Sequence, residues 1–520
     1  KGEVRNKLVK EMEKALFVLL PFTNNKLEVI EWIRDFINTG FADKKELIRD
    51  ITQILKYQDD IPESTKSELR ILKTEIVGTG FENEVQRYVG IRIVGEEYES
   101  DRSESIVVTK KIERLAEKSL KNQHAFESLL PWLVSKSPEN GFRFGFELGR
   151  LDTSRDTWPK IIEAMRNAVG ENLGTQFCSG YLHAIYSVDK SQWEDMLNEF
   201  AEDEHLAMQT PTIISDSGMS DRALEKIMKL FKERVITVDV LVALPYCPYL
   251  AHLSDDSFYH LIEMLLDEHT FVSARLALDL VHYQSEESRK ISNKVKEHVI
   301  KQPELLAEGY PQSPSLSYSW YKVTINYLDS DSNNAINIID SITSLVGKRN
   351  AIEVNDLDKV MHKLIDITPE MVWKSLARII TSSNGLLPVR LKSIYNLNSK
   401  SLISYFPPKI VLDWIAEDPD VRAAVILKYL PDRLYDDEGN TSLSREILAK
   451  YGASENVRRA MVISSESYSW SGSQYDALNK KIKCLENYRE LDDKPNVLAW
   501  IEQMIEIFNE EMMQSHMREE

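Results

Sequence analysis

The sequence predicts an all-α fold, an α-solenoid of stacked helix pairs. Three observations carry that expectation. Trp158 and Trp193 lie 35 residues apart, and around them Gly145, Phe146, Trp158, Ile161, Ile162 and Met165 match Gly180, Tyr181, Trp193, Met196, Leu197 and Phe200 at the same offset. Three later segments, DPDVRAAVI (418–426), SENVRRAMV (454–462) and KPNVLAWIE (494–502), share a polar pair, then Asp or Asn, then Val. Their valines, Val421, Val457 and Val497, are 36 and 40 residues apart. Finally, apolar residues recur at helical spacing through most of the chain, and no catalytic motif interrupts them. One helix pair cannot cover its own apolar stripe, so a period of this size implies pairs stacked on pairs. At ~35 to 40 residues per pair, about thirteen pairs fit.

The elements follow in order. LEVIEWIRDFI (27–37) places Ile30, Ile33, Phe36 and Ile37 at helical spacing. KKELIRDITQILKY (44–57) places Leu47, Ile51 and Leu55 on one face, with Asp43 as its N-cap. YVGIRIVG (88–95) is the one strand-like run. A single run cannot make a sheet, so it reads as a helix end followed by a connector. Breaks are expected at EEYESDRSES (96–105), at AEGYPQSPSLSYS (307–319) and at YDDEGNTS (435–442). They suggest a helical N-terminal segment (1–105), a first repeat region (106–310) and a second (311–520). Between the breaks, DSFYHLIEMLLDEH (256–269), SARLALDLVHY (273–283) and PEMVWKSLARII (369–380) read as helices, the last with Thr368 as cap and Pro369 in the first turn.

Composition narrows the function classes. At 520 residues the chain exceeds one compact core, and 42% apolar content suffices to bury several. A net charge of −19 argues against holding duplex nucleic acid, which requires basic tracks. No apolar run approaches the ~20 residues of a membrane span, so no membrane partner is expected. Cys178, Cys247 and Cys484 are scattered and odd in number, as reduced thiols of a cytoplasmic protein would be. The chain starts at Lys1 rather than Met, which suggests a longer parent.

Candidate chemistry is sparse. Gly141, Gly145 and Gly149 are spaced by four and would leave a groove on one helix face. No Lys-Ser or Lys-Thr follows, which excludes a phosphate-binding loop of Walker type. Close approach of a second helix is the expected role. In DSDSNNAINIID (329–340), Asp329, Asp331, Asn333, Ile336 and Asp340 fall at calcium-loop positions 1, 3, 5, 8 and 12. Asn334 replaces the loop glycine, however, and Asp340 replaces the bidentate Glu. The cap of a helix over 335–346 is the simpler reading. The ten histidines form no metal motif, and no G-x-S-x-G occurs. No catalytic residue, metal or cofactor is expected. Most tryptophans sit in apolar helical patterns and read as core. Trp470, with Tyr468 and Tyr475, lies instead in the polar segment SESYSWSGSQYD (465–476). There it reads either as a plug between two repeats or as a contact loop of a binder.

DPDVRAAVI resembles the second helix of a HEAT repeat. In that family a turn Asp and a Val-Arg pair recur, and the arginine meets the aspartate of a neighbouring turn. The resemblance implies structural roles for Asp418, Arg422 and Arg458; Leu498 stands where a third arginine would be. More widely, FRFGFELGRLD (142–152), SGYLHAIY (179–186), SGMSDRAL (217–224) and the tail from SWSG to KPNVLAWIEQMI resemble the HEAT-like C-terminal regions of large bacterial anti-phage defence proteins of the STAND NTPase type. The resemblance implies a sensor or scaffold. It would bind a phage protein or a companion subunit, relay the event to an effector outside this chain, and oligomerise through the parent protein. A constitutive assembly scaffold is the alternative, and a metal-dependent nuclease a more remote one.

Overall fold

The computed structural model describes residues 20, 25–39, 44–58, 61–78, 80–90, 101–168, 170, 173–286, 289–302, 305, 314–345, 354–382, 401–436, 438–466 and 473–519. Among them the protein is all α, with no strand and only two isolated bridges, Ser135 with Leu173 and Tyr435 with Thr441. No described helix is long and apolar enough to cross a membrane. The chain divides into two compact units, Lys1–Leu261 and Ile262–Glu520.

The first unit contains α1 (Lys26–Asn38), α2 (Lys44–Tyr57), α3 (Glu63–Val77), α4 (Phe81–Gly90), α5 (Asp101–Lys121), α6 (Gln123–Leu133), α7 (Gly141–Leu151), α8 (Trp158–Asn167), α9 (Gln176–Tyr186), α10 (Lys190–Glu202), α11 (Thr210–Ser217) and α12 (Asp221–Lys232). Short 3-10 turns follow between Val238 and His252. The amphipathic pattern of α1 buries Val29, Ile30 and Ile33 against Leu47 and Ile51 of α2 and Leu69 and Leu72 of α3. From α4 onward, helices pack on the next but one: α5 on α7, α7 on α9 and α9 on α11, while α4, α6 and α8 make a second succession.

The matched tryptophans occupy equivalent places in two successive hairpins. Trp158 opens α8 and stacks on Tyr181 with ring centroids 5.8 Å apart; Trp193 in α10 meets Tyr186 edge-on at 4.8 Å. Each indole N–H is used, by Glu199 in one case (3.3 Å) and the Ser217 hydroxyl in the other (3.1 Å). Between α7 and α8 the chain turns through Arg155, whose φ of 63° is left-handed. The Arg155 guanidinium caps the end of α7 at the Gly149 carbonyl (2.8 Å), which holds that residue in its strained region.

Helix α13 (Asp255–Leu266) follows the 3-10 turns. The second unit continues with α14 (Phe271–Glu286), α15 (Asn293–Ile300), α16 (Pro314–Ser330), α17 (Asn334–Thr343), α18 (Val354–Ile367), α19 (Pro369–Ser382), α20 (Pro408–Ile415), α21 (Pro419–Leu427), α22 (Leu443–Tyr451), α23 (Glu455–Glu466), α24 (Gln474–Leu491) and α25 (Pro495–Glu519). Here too α14 packs on α16, α16 on α18, α17 on α19 and α21 on α23.

Several boundaries differ from the sequence reading. Helix α5 begins at Asp101, inside the expected 96–105 linker, and α16 begins at Pro314, inside the 307–319 break. Val89 and Gly90 close α4; residues 91–100 and Asp43 lie outside the described residues. The three motif valines are not equivalent. Val457 and Val497 are fully buried, whereas Val421 is 57% exposed. The short α21 turns Ala423, Ile426 and Leu427 inward, which leaves Val421 on the outer side.

Candidate functional site

The glycine stripe fixes how α7 and α9 meet. A Cβ on Gly145 would overlap the Phe177 carbonyl oxygen and stand 2.9 Å from the Tyr181 nitrogen. One on Gly149 would lie 2.5 Å from the Tyr181 carbonyl. From the other side, a Cβ on Gly180 would overlap the Phe142 carbonyl and lie 2.9 Å from the Phe142 Cα. Gly141, at the start of α7, is looser, with its nearest neighbour the Pro138 Cβ at 3.3 Å. Gly145 and Gly180, matched by sequence offset, thus lie at one crossing, each against the backbone of the other helix. The two backbones touch because neither helix carries a side chain there.

That close crossing brings aromatic side chains of both helices to one face. His183 on α9 lies 5.7 Å from Phe142 and 5.6 Å from Phe146, ring to ring, and 5.7 Å from Tyr249 of the 3-10 segment. Tyr249 is also 5.8 Å from Tyr186 and 6.1 Å from His252. The face is pinned from beneath. His183 Nδ1 bonds the Ser217 carbonyl (2.8 Å), and the Tyr186 hydroxyl donates to the Met219 carbonyl (3.1 Å) and meets His252 Nδ1 (2.9 Å). Phe142, Phe146, His183 and Tyr249 are half-buried, His252 is exposed, and Tyr246 nearby in the chain is 66% exposed. Burial raises the Asp216 carboxyl despite a bond from Gln176, and burial with the neighbouring Cys247, Tyr186 and Asp216 raises the Tyr249 phenol. A rigid, half-open group of aromatic rings with a polar edge is what the core of a protein interface presents.

The two thiols nearest this face are buried. Burial pushes the Cys247 thiol up to about 11 and the Cys178 thiol well above its ordinary range, which leaves both inert as nucleophiles. The nearby Asp152 carboxylate accepts from Thr157 through both its hydroxyl and its backbone N–H (the latter at 3.0 Å), and from the Tyr181 hydroxyl (2.7 Å). Burial alone would raise that carboxyl, but these bonds hold it below the usual range. All three residues are buried, and they tie the α7–α8 turn to α9.

The other sequence candidates fall elsewhere. Trp470 and Tyr468 lie outside the described residues; Tyr475, in the first turn of α24, is 41% exposed. Arg422 donates to the Trp414 carbonyl (2.8 Å) and Glu417 (2.7 Å) and covers the Trp414 ring at 4.6 Å. Arg458 donates to the Gly452 (2.9 Å) and Ala453 (3.2 Å) carbonyls. Each arginine, like Arg155, therefore closes the preceding helix of its own hairpin, where the HEAT resemblance implied a bond between repeats. Asp418 precedes α21 without a side-chain cap bond.

In the calcium-like segment, Asp329 pairs with Lys363 (2.5 Å), and Asp340 accepts from Ser375 (2.6 Å) and Arg378 (2.5 Å). Asp331 accepts from the Asn333 N–H (2.9 Å), and the Asn334 amide donates to the Tyr327 carbonyl (2.6 Å). The segment is a turn into α17 whose acids are drawn to separate helices. Among the described residues no group of three or more His, Cys, Asp or Glu could hold a metal ion.

Tyr249 and His252 carried no helical period and escaped the sequence reading. Their signal was the stretch VDVLVALPYCPYLAHL (238–253), which is apolar and aromatic yet broken by two prolines. Such a run cannot form a helix and presents aromatic rings from turns. Compared with family models, with curated proteins and with solved structures, the chain matches none.

Proposed function

We propose that the chain is a HEAT-like α-solenoid that recognises a protein partner through the aromatic face of α7, α9 and the 238–252 turns. In this reading it is the sensing or scaffolding arm of a larger bacterial defence protein and relays partner binding to an effector carried elsewhere. The observation that carries the proposal is the half-open cluster of Phe142, Phe146, His183 and Tyr249, held rigid by the glycine crossing and by bonds to Ser217 and Met219. Next-but-one helix packing within each unit supports the solenoid. The net charge of −19 favours a protein over nucleic acid. The chain acts by binding and without a cofactor. The defence role rests on the resemblance of its repeat segments alone.

Phe146→Ala together with Tyr249→Ala tests this. Both rings are at the edge of the cluster and make none of its pinning hydrogen bonds. In cells carrying the full-length gene, the double variant should lose protection against a restricted phage while melting within a few degrees of wild type. Undiminished protection would refute the assignment of this face.

A further inference from the structure

The aromatic face is bordered by one carboxylate that no described residue neutralises. Asp216 stands near the end of α11, next to Ser217, whose carbonyl holds His183 (2.8 Å). Its Oδ2 accepts from the Gln176 amide (2.9 Å). Gln176 and His183 are seven residues, two turns, apart on α9 and so share one face of it. On the other side, the Cys247 thiol donates to the Ser215 carbonyl (3.4 Å) and ties the 3-10 turns to α11. Burial does most to raise the Cys247 thiol and the Tyr249 phenol, and the nearby Asp216 charge adds to both. Asp216 therefore lies between α9 and the turn that carries Tyr249.

Burial raises the Asp216 carboxyl, the Gln176 bond lowers it, and among the described residues no basic group acts on it. Other sequestered carboxylates of this unit are treated differently. Glu147 is met by Arg143 and Arg150, Glu194 by Arg222 and Asp203 by Arg166. Asp216 is half-buried rather than enclosed, so a group arriving from solvent can reach it. A half-buried charge without a counter-ion costs free energy that an incoming cation recovers. The rings beside it attract cations as well. Arg143 already lies over Phe146, 5.8 Å from the ring centre, and Lys190 over Tyr186 at 5.1 Å.

We infer that the protein bound at this face inserts an arginine, its guanidinium stacked on Tyr249 and its N–H edge on the Asp216 carboxylate. The inference rests on the reading of this face as a protein interface. Arginine suits the place better than lysine, because a planar, weakly hydrated cation can cover a ring and meet a carboxylate at once. The net charge of −19 favours a basic partner surface in the same sense.

Asp216→Asn tests this, since it keeps an acceptor for Gln176 and removes the charge. The variant should melt no lower than wild type, because an unpaired charge is relieved. The probe is N-acetylarginine methylamide, with the citrulline analogue, neutral and of similar shape, as control. A fluorotyrosine at position 249 of the full chain reports on both by fluorine NMR. The arginine probe should shift that resonance saturably at millimolar concentration, and the citrulline probe should not. Asp216→Asn should weaken the arginine probe about ten-fold. In infected cells the same variant should lose protection, as Phe146→Ala with Tyr249→Ala does. Loss of protection by the ring variant but not by Asp216→Asn would leave the interface standing and overturn the arginine anchor. Equal shifts from the two probes, or none from either, would overturn it too. Undiminished protection in the ring variant would instead remove the interface itself, and the anchor with it.

Discussion

Adding one methyl group at Gly145 should damage the protein more than adding it at Gly141, four residues away on the same stripe. In Gly145→Ala the new carbon overlaps the Phe177 carbonyl oxygen and stands 3.0 Å from the Phe177 carbonyl carbon. Carbon atoms need about 3.5 Å or more, so α7 and α9 would have to part by on the order of 1 Å. The obstruction is backbone, which no rotamer change relieves, so the cost is at the upper end of overpacking, about 3 kcal/mol. Alanine returns about 1 kcal/mol of helix propensity, for a net loss of about 2 kcal/mol. For a unit of this size that lowers Tm by about 4 to 8 °C. Gly141→Ala meets the Pro138 ring at 3.3 Å and comes no closer than 3.6 Å to the Phe177 nitrogen, so its Tm should stay within about 2 °C of wild type. Differential scanning calorimetry on both variants decides. A Gly145→Ala protein that melts at or above wild type would refute the backbone-contact reasoning.

Four further outcomes follow from the second unit and from α9. Asp492 is fully buried and takes two bonds from Arg445, at 2.8 Å each, and one from Tyr435; despite burial, these hold its carboxyl at about 2 against an ordinary 3.8. A depressed carboxyl contributes stability above pH 4, about 2 kcal/mol here, that is lost as pH falls from about 4 through 2, a slope visible in urea titrations. Arg445→Ala leaves a buried carboxylate without its partner and should cost about 3 to 5 kcal/mol at pH 7, less at pH 4 where Asp492 can then protonate; an equal cost at both would contradict the pairing. Millimolar calcium should leave Tm unchanged, because Lys363 and Arg378 already hold Asp329 and Asp340; a rise of several degrees would restore the metal reading. Tyr181→Phe removes one of the bonds to buried Asp152 and should cost about 1 to 2 kcal/mol, measured by the same unfolding titration.

The all-α class was legible because helical periodicity is local, and the hairpin offset because Trp158 and Trp193 recur in equivalent places. The glycine stripe could be read from its spacing of four, which puts all three on one helix face. Its consequence, the gathering of Phe142, Phe146 and His183 beside Tyr249, could not be. Those residues come from segments up to about a hundred positions apart, and the last sits in 3-10 turns that lack any period. Arg445 and Asp492 are likewise separated by 47 residues and carry no pattern. The motif arginines misled because a helix end offers its own carbonyls: Arg422 and Arg458 reach those first, within one hairpin, before any aspartate of a neighbouring repeat. Val421 shows the same limit, since a shared motif does not fix which way a short helix is rotated.

The claim that the α7–α9 face is a protein interface is most directly tested by photo-crosslinking in living cells. A photoreactive residue would replace Phe146, with Lys232, exposed on α12, as the control position. A partner recognised on infection predicts a discrete adduct from position 146 that appears after phage challenge and is absent from position 232. The same adduct at equal yield in unchallenged cells would favour the constitutive scaffold. No adduct from position 146 under either condition would contradict the account.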